Sequence, residues 1–543
     1  NLQQTNVAVE GGGLFRMINS DTWVLMYDCY NSGYYQFCST EDLESFTLEA
    51  QTTTSGAFTP RHGTVMAISK AELDALLEAF PTDNLGTSVS GARNRNIKQN
   101  NVTITSKSIY LPVRPGTDIS NFDPELVASA GAAISPEGPQ DFTNGSVEYT
   151  ISNQGKTATV NVEVEVCGNP VLDGFCADPE ILFSKKTGKF YIYPTSDGYA
   201  GWGGSKFNVY SSSDLVNWQK ENCILDVATD DVTWATGNGW APCIEEKYMD
   251  GAFKYFFYFS GHNPEYNMKT LGVATADSPI GPFTDKGTPL VTKNPASGQL
   301  IDSDVFTDPV SGNTYYYWGN GNLVVSDMGD DMMSYSNPAT ITPAGGSLAD
   351  YAFREGVYVF YRNGLYYFLW SVDDTGAKNY HVAYGTSTSP RGPIKVADKP
   401  IVIIQDASEE IYGTGHNAVI QIPGKDEWYI VYHRINKAYL NDGPGYHREV
   451  CIDKLEFNED GTIKQVTPTH KGIDPVDMSD YITGTLTCIE DLDDASGCSE
   501  VVSTSYYSIN GTNLGTNVPT SKGIYIKVDN MKDGSRNAVK FIK

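Results

Sequence analysis

Short apolar and aromatic runs alternate with Gly-, Asn- and Asp-rich turns along most of this chain, which favours β-strands. One pattern occurs five times in the middle: a motif head, an apolar strand, a tight turn and an aromatic strand. The copies read PEILFSKKTGKFYIY from Pro179, PCIEEKYMDGAFKYFFYFS from Pro242, SDVFTDPVSGNTYYYWG from Ser303, GVYVFYRNGLYYFLWS from Gly356 and NAVIQIPGKDEWYIVYHR from Asn417. Their starts lie 63, 61, 53 and 61 residues apart. This period predicts a five-bladed β-propeller over residues 167–473, with one four-stranded sheet per blade.

The flanking segments follow different patterns. Residues 1–82 contain WVLMYDCYNSGYYQFCSTEDLESFTLEA, whose strands and Asp-Leu-x-x-aromatic turn match a stretch of the first propeller repeat, so they predict a blade-like segment. Residues 83–166 alternate with period two, which predicts a small immunoglobulin-like β-sandwich acting as a spacer. Residues 474–543 predict a β-rich tail that resembles the C-terminal sorting or anchoring domains of some secreted Gram-negative proteins.

Composition narrows the range of partners. The formal charge of −28 argues against nucleic acid and anionic membranes, and suits a neutral substrate. No apolar run approaches the roughly 18 residues of a membrane span. Among nine cysteines, Cys29 with Cys38 and Cys488 with Cys498 flank short loops, and either pair could close a disulfide in an oxidising compartment. Buried free thiols are at least as good an interpretation of Cys176, Cys223, Cys243 and Cys451.

Acidic residues stand at the heads of three repeats. They are Asp178 in CADP, Asp302 in LIDSD and Glu355 in FREG. One acid among 66 is most often a turn or cap residue. The innermost strands of a propeller crowd around one axis, however, so three acids far apart in sequence can meet in one pocket. Their shared position in three repeats therefore predicts a catalytic site.

The ordered set of motifs at blade spacing resembles glycoside hydrolase family 43 over the whole propeller. The motifs are DGFCADPEI, APCI, IDSDVFTD, REGVYV, GTGHNAV and YHREV, in that order. The resemblance implies hydrolysis with inversion at the anomeric carbon. Such chemistry needs one carboxylate to activate water and one protonated carboxyl to protonate the leaving oxygen.

The resemblance also implies a role for each acid. Asp178 matches the general base, and Glu355 matches the general acid, whose pKa must rise toward neutrality. Asp302 matches the third acid, which raises the pKa of the glutamate and orients it. Because this chain reads IDSD where relatives often read IDP, Asp304 is a rival for that third position.

Other positions match residues that bind substrate or a cation. Arg448 matches an arginine that binds sugar hydroxyls and keeps the base ionised; His433 and Arg434 are a rival pair that we interpret as structural because they lie mid-blade. Trp240 matches the aromatic wall of the sugar site, and Trp202 and Phe175 are further substrate-binding candidates. His416 matches a histidine at the propeller centre, near a structural Ca²⁺ or Na⁺ held through water. No cofactor is expected to be required for the chemistry.

These observations predict a secreted bacterial glycosidase, located in the periplasm, at the cell surface or in the medium. Its expected substrates are neutral plant polysaccharides or oligosaccharides, from which it releases terminal α-L-arabinofuranosyl or β-xylosyl units. Endo-α-1,5-L-arabinanase activity is an alternative with the same chemistry, and a non-catalytic glycan-binding propeller is an alternative of another class. The sequence leaves open arabinoside against xyloside preference, exo against endo action, the cation and the oligomeric state.

Overall fold

The protein is built from β-strands, which confirms the all-β prediction. The computed structural model describes residues 8–18, 20–31, 33–53, 62–69, 71–72, 75–76, 86–345, 351–440, 445–479, 481, 501–508, 513–519, 524–531 and 536–542. The named elements in these ranges are 35 strands and four short 3-10 helices, at Gln99–Asn101, Ile119–Asn121, Ala200–Trp202 and Lys437–Tyr439. Within the same ranges, no helix has the length and apolar character needed to cross a bilayer.

Five antiparallel sheets form the blades of the propeller. Blade 1 comprises β12 (Cys176–Ser184), β13 (Lys189–Ser196), β14 (Lys206–Ser212) and β15 (Gln219–Asp226). Blade 2 comprises β16 (Trp240–Met249), β17 (Ala252–Asn263), β18 (Met268–Ala276) and β19 (Thr284–Asp285). Blade 3 comprises β20 (Asp304–Thr307), β21 (Thr314–Trp318), β22 (Val324–Met328) and β23 (Tyr335–Thr340).

The last two blades depart from four strands. Blade 4 comprises β25 (Glu355–Arg362), β26 (Leu365–Val372), β27 (His381–Ser387) and β28 (Ile394–Ile403), with β24 (Pro343–Gly345) added parallel to β28. Blade 5 has three strands among the described residues: β29 (Tyr412–Gln421), β30 (Trp428–Ile435) and β31 (Arg448–Leu455). The expectation of four strands in every blade is therefore wrong for these two sheets.

Hydrophobic clusters between neighbouring blades close the sheets into a ring. Each cluster takes buried aromatic and aliphatic side chains from two adjacent sheets. Examples are Tyr193 with Phe257, Tyr258 with Tyr316, Tyr317 with Phe368, Leu369 with Ile430, and Ile192 with Val431. The last pair joins blade 5 to blade 1, so the ring is complete. Each large side chain buried in this way contributes about 1.5–3 kcal/mol.

The first strand of each blade lines the axis, and each carries the same irregularity. Strands β12, β16, β20, β25 and β29 contact one another in that order. At equivalent positions of these strands, or just before β20, one residue has a positive φ between 41° and 62°: Asp178, Ala241, Asp302, Gly356 and His416. In four blades this residue sits in a register shift that marks a β-bulge. Bulges re-aim side chains, and here they turn the motif heads toward one end of the axis.

The segments before the propeller form two further β units. The N-terminal sheet comprises β1 (Glu10–Arg16), β2 (Trp23–Cys29), β3 (Tyr34–Thr40) and β4 (Thr47–Thr53) in sequential order. The sandwich pairs β5 (Val89–Ala92) with β8 (Leu126–Ala128), opposite a sheet of β6 (Thr103–Ile104), β7 (Ser108–Val113), β9 (Ala133–Ser135), β10 (Val147–Asn153) and β11 (Lys156–Val166). The buried Lys98 ammonium donates to the carbonyls of Gly168 and Pro170, which ties the sandwich to the propeller entry.

The predicted likeness between the N-terminal sheet and a propeller blade is confirmed at one turn. Asp42 Oδ1 accepts the N–H groups of two following residues at 2.8 and 2.7 Å, and Asp214 Oδ1 does the same in blade 1 at 2.9 and 2.7 Å. The leucine after each aspartate has positive φ, at 61° for Leu43 and 65° for Leu215. The same Asp-Leu sequence therefore builds the same turn in both sheets.

The C-terminal sheet has the order β33-β32-β34-β35. Its strands are β32 (Val501–Ser508), β33 (Asn513–Gly515), β34 (Ile524–Met531) and β35 (Arg536–Ile542). Cys29 and Cys38 are free, buried thiols, because the hairpin register places Cys29 opposite Tyr34 and Cys38 opposite Leu25. Cys488 and Cys498 lie outside the described residues. The bounds of the four domains remain predictions.

Candidate active site

Asp178 lies at the centre of the site, held by three nitrogen atoms. Its carboxylate is buried, and Oδ1 lies 2.9 Å from Arg448 Nη1, 3.2 Å from His433 Nδ1 and 3.3 Å from His416 Nδ1. The backbone N–H of Asp178 donates to His433 Nδ1 at 3.1 Å. All these side-chain contacts go to Oδ1.

Arg448 is fixed by a second buried carboxylate. Its Nε donates to Asp197 Oδ2 at 2.9 Å, and its backbone N–H donates to the same oxygen at 2.9 Å. Arg448 Nη1 also donates to Thr375 Oγ1 at 3.0 Å. Asp197 follows β13, and Thr375 lies in the loop between β26 and β27, so one guanidinium joins blades 1, 4 and 5. This arrangement leaves the arginine little freedom to move away from Asp178.

Glu355, the first residue of β25, receives a hydrogen bond on each carboxylate oxygen. Asn320 Nδ2 donates to Oε2 at 2.8 Å, and the Tyr380 hydroxyl donates to Oε1 at 3.0 Å. Arg354 Nε lies 3.9 Å from Oε2 and its guanidinium pairs with Asp374, which is exposed. Glu355 itself is 8% exposed. The carboxyl is thus oriented from two sides and almost closed to bulk water.

The structure separates Asp302 from its rival Asp304. Asp302 Oδ2 accepts the backbone N–H of Gly356 at 2.9 Å, so it is anchored beside Glu355. Asp304 Oδ2 accepts the N–H of Val359 at 2.9 Å, three residues further along the same strand. The Asp304 carboxylate clusters instead with Glu180 and Cys243, with ligand atoms within 4.8 Å of one another. Asp302 is therefore the acid that shares a pocket with Glu355.

The three acids differ in their protonation. Burial alone raises the pKa of Asp178, but the positive charge of Arg448 and contacts with His416 and His433 hold that pKa below its usual value. Burial raises the pKa of Glu355; the Tyr380 hydrogen bond opposes this and the negative charge of Asp178 adds to it. Burial and the charges of Glu355 and Asp178 raise the pKa of Asp302 well above its usual value. One ionised and one protonated carboxyl are the pair that acid–base catalysis requires.

The sequence predicts a structural role for His433, and the structure adds a contact with Asp178 that the sequence did not indicate. In the blade 5 register His433 lies opposite Gly415, and the ring that fills the space beside Gly415 is that of Tyr380, which stacks on His433. Burial lowers the pKa of His433 to about 3, so the ring is neutral. Its partner in the sequence motif, Arg434, pairs with Glu449 at 2.7 Å, near the sandwich.

His416 lies beside Asp178, as the sequence predicts, but it is not part of a protein cage for a cation. Among the described residues, the only groups of three ligand atoms from His, Cys, Asp or Glu lying within 4.8 Å of one another are Glu10–Asp28–His62 and Glu180–Cys243–Asp304. Neither includes His416. Burial lowers the pKa of His416, which leaves a neutral ring. The cation implied by the resemblance would therefore take His416 as its one protein ligand and water for the rest, and it remains a prediction.

The predicted aromatic residues lie near the same end of the axis. Trp240 occupies the position in β16 that Glu355 occupies in β25, and its indole N–H donates to the Trp202 carbonyl at 2.7 Å. Lys269 Nζ lies 3.8 Å from the centre of the Trp240 ring and covers one face. Phe175 packs edge-on against Tyr439 and His447. Trp202 and Phe175 both pack against the same segment, through Tyr446 and His447 respectively.

Three residues that hold the site were missed by sequence reasoning: Asp197, Asn320 and Tyr380. Asp197 and Asn320 follow second strands, and Tyr380 directly precedes a third strand, whereas the motifs mark only the heads of first strands. The Gly-Asn-Gly-Asn turn at 319–322 could have drawn attention to Asn320, since Gly319 has a φ of 137°. Asp197 and Tyr380 have no comparable local mark.

Three family models match successive parts of the chain up to residue 463. The model described as "Glycosyl hydrolases family 43" matches residues 167–463, more than half of the chain. Residues 1–74 match a model described as "Probable glycosyl hydrolase domain", and residues 88–166 match "SGBP, N-terminal". The family match spans all five blades and all three motif-head acids.

Individual relatives agree with the family match. A protein of Aspergillus niger named beta-D-galactofuranosidase xynD is 36% identical over 59% of this chain and 89% of its own length. An arabinoxylan arabinofuranohydrolase of Bacillus subtilis is 32% identical over 56% of this chain and 65% of its own length. The crystal structure of a thermostable family-43 glycoside hydrolase is 26% identical, covering 56% of this chain and 98% of that one, with a TM-score of 0.48.

Proposed function

Because the chain belongs to glycoside hydrolase family 43 and hydrolyses O-glycosyl bonds, we propose that it removes terminal pentosyl units from plant cell-wall polysaccharides with inversion. The favoured units are α-L-arabinofuranosyl and β-xylosyl. Relatives are named arabinofuranohydrolase, xylosidase/arabinosidase and galactofuranosidase, so furanosides and xylosides are the substrate class to test. The observation that supports the proposal is the pairing of a charge-stabilised Asp178 with a buried Glu355 whose pKa is raised.

Asp178 is the proposed general base, acting through Oδ2. Arg448 and the two histidines gather at Oδ1, so the second oxygen can accept a proton from water. That water attacks the anomeric carbon from the face opposite the leaving oxygen. An inverting pair needs about 6.5–9.5 Å between its carboxyl groups for this water to fit.

Glu355 is the proposed general acid. Its raised pKa keeps a proton on the carboxyl near neutral pH, and that proton passes to the glycosidic oxygen as the bond to the anomeric carbon breaks. Asp178 then carries the proton from water and Glu355 is ionised, and exchange with solvent restores both. Asp302 positions Glu355 by accepting the N–H of Gly356. Burial and the charge of Glu355 raise the pKa of Asp302, so ionisation of either carboxyl disfavours ionisation of the other.

The substrate is proposed to pack against the face of Trp240 that Lys269 leaves free, because sugar C–H groups pack on indole. Arg448 is the proposed donor to sugar hydroxyls, and Trp202 and Phe175 line the entrance. No metal is proposed in the chemical step, since the two carboxyls supply both proton transfers. The three acids are only 5–8% exposed, which favours a pocket for a terminal unit over an open cleft for endo cleavage.

The test compares 4-nitrophenyl α-L-arabinofuranoside, β-D-xyloside and β-D-galactofuranoside, followed by arabinan and arabinoxylan. Release of free pentose before any fall in arabinan viscosity is expected; an early fall in viscosity would replace the exo assignment by endo-arabinanase. Glu355→Gln should lower turnover of natural substrates by about 10²–10⁴-fold and affect activated aryl glycosides far less. Glu180→Gln is the matched control, because Glu180 is equally buried, at 8% exposed, and also has a raised pKa.

An unchanged rate in Glu355→Gln would exclude Glu355 as the proton donor. Glycan affinity without turnover on any substrate would favour the binding-module alternative. Secretion to the periplasm, the cell surface or the medium is proposed on the sequence of the tail, and fractionation of the natural host would test it.

A further inference from the structure

Tyr380 is a buried phenol that takes no part in the two proton transfers proposed for Asp178 and Glu355. The residue is 0% exposed and directly precedes β27, and its hydroxyl donates to Glu355 Oε1 at 3.0 Å. A buried hydroxyl beside a carboxyl either serves only to pack the interior or also changes how readily the carboxyl loses its proton. Its surroundings decide between the two.

The Tyr380 ring is held in place from two sides. It stacks on His433 with 5.5 Å between ring centres and 6° between planes, and His433 in turn contacts Asp178. On another side it lies against Gly415, where an added Cβ would come within 2.3 Å of two ring carbons. A ring fixed this firmly presents its hydroxyl to Glu355 at a constant position. The contacts also form a continuous path from the base to the acid.

A hydrogen bond from a neutral phenol stabilises the ionised form of the carboxyl more than the protonated form. The ionised form of Glu355 exists only after it has given its proton to the leaving group. The hydroxyl of Tyr380 also has a second partner in Ser371, whose Oγ accepts the backbone N–H of His416. Tyr380 can therefore strengthen its bond to Glu355 as negative charge appears there, without losing its other contact.

On the premise of the proposed function, we propose that Tyr380 is a positioning residue that holds Glu355 for proton donation and stabilises its conjugate base. Other groups also act on Glu355 from the surrounding strands and loops: Asp178, Asp302, Arg354, Arg448 and Asn320. Tyr380→Phe removes one oxygen atom and leaves all of these in place.

Two changes are expected in Tyr380→Phe. The alkaline limb of kcat/KM should move to higher pH by about one unit, because the lost hydrogen bond had lowered the pKa of Glu355 and the acid must be protonated to act. Turnover of natural substrates should fall on the order of tenfold at the optimum, with little change on activated aryl glycosides. A purely structural tyrosine would move neither the limb nor the leaving-group dependence.

Tyr384→Phe is the matched control. Tyr384 is also fully buried and its hydroxyl accepts the Ile463 N–H at 3.0 Å, but it lies in the cluster between blades 4 and 5, away from the acids. Its loss should leave the pH profile unchanged. An unshifted alkaline limb in a folded, active Tyr380→Phe protein would overturn the inference, as would an equal shift in Tyr384→Phe.

A second measurement needs neither turnover nor a folded Phe variant. In full-length protein labelled with ¹³C at the glutamate carboxyl and tyrosine Cζ carbons, the Glu355 signal is the one lost in Glu355→Gln. One tyrosine signal should titrate in step with it and become pH-independent in Glu355→Gln. Absence of any such tyrosine would overturn the inference even if the enzyme is active. If such a tyrosine signal is present but the protein is inactive on every pentoside and galactofuranoside, the role of Tyr380 is supported and the proposed function is wrong.

Discussion

Replacing Arg448 tests how Asp178 stays ionised. Arg448→Met removes the positive charge that lies 2.9 Å from Asp178 Oδ1 and preserves much of the buried apolar volume. The opposite charge holds the pKa of Asp178 below its usual value. A general base must be ionised to act, so the acid limb of kcat/KM should move to higher pH when Arg448 is lost.

The size of the shift follows from the geometry. Charge centres about 4 Å apart at an effective dielectric constant of about 20 attract by about 4 kcal/mol, which is about three pKa units. Asp197 loses the same partner, and because its pKa is already raised to about 6 by burial, it will become neutral rather than repel Asp178. His416 and His433 remain, so a rise of about two to three pH units in the acid limb is expected.

The assay is kcat/KM on one aryl pentoside from about pH 2 to about pH 8, with folding checked at each pH. Arg434→Met is the matched control: its guanidinium is equally buried, at 4% exposed, and pairs with Glu449 at 2.7 Å outside the pocket. Both variants should lose about 3–5 kcal/mol of stability, because each leaves a buried carboxylate unpaired. A shift below about half a pH unit in Arg448→Met, or an equal shift in Arg434→Met, would refute the reasoning.

Three further predictions concern the same pocket. Asp302→Asn should move the alkaline limb to lower pH, because the ionisation of Asp302, which opposes that of Glu355, is lost, whereas Asp304→Asn should leave the limb in place; the reverse would make Asp304 the third acid. Trp240→Ala should raise KM on the order of tenfold with a smaller change in kcat, and an unchanged KM would remove Trp240 from the sugar site. Dialysis against a chelator should leave kcat unchanged, since the proton transfers use Glu355 and Asp178; lost turnover restored by Ca²⁺ would show that a cation is required.

The fold was predictable because each repeat contains the sequence signals for its own strands and turns. Each motif head precedes an inner strand, and inner strands meet at one axis, so Asp178, Asp302 and Glu355 could be placed together from sequence. The bulge at each head explains why the motifs are short: a single residue of positive φ re-aims the side chain. The position of each acid is therefore specified by the few residues around it in the sequence.

The supporting residues could not be found in the same way. Asp197 reaches Arg448 across 251 positions of sequence, and His433 reaches Asp178 across 255. Neither contact has a local motif, because each depends on the closure of blade 5 against blade 1. The contact of His433 with the base could not be predicted for this reason: its mid-blade position indicates burial and a structural role, but not which residue of blade 1 it meets.

The stereochemistry of the first product tests the pairing of Asp178 with Glu355 most directly. ¹H NMR of a reaction on an aryl pentoside, recorded before mutarotation, reports the anomeric configuration of the released sugar. A base acting through water from the opposite face predicts the inverted anomer as the first species. Appearance of the retained anomer first would mean that a carboxylate attacks the sugar itself, and the assignment of Asp178 as a water-activating base would be wrong.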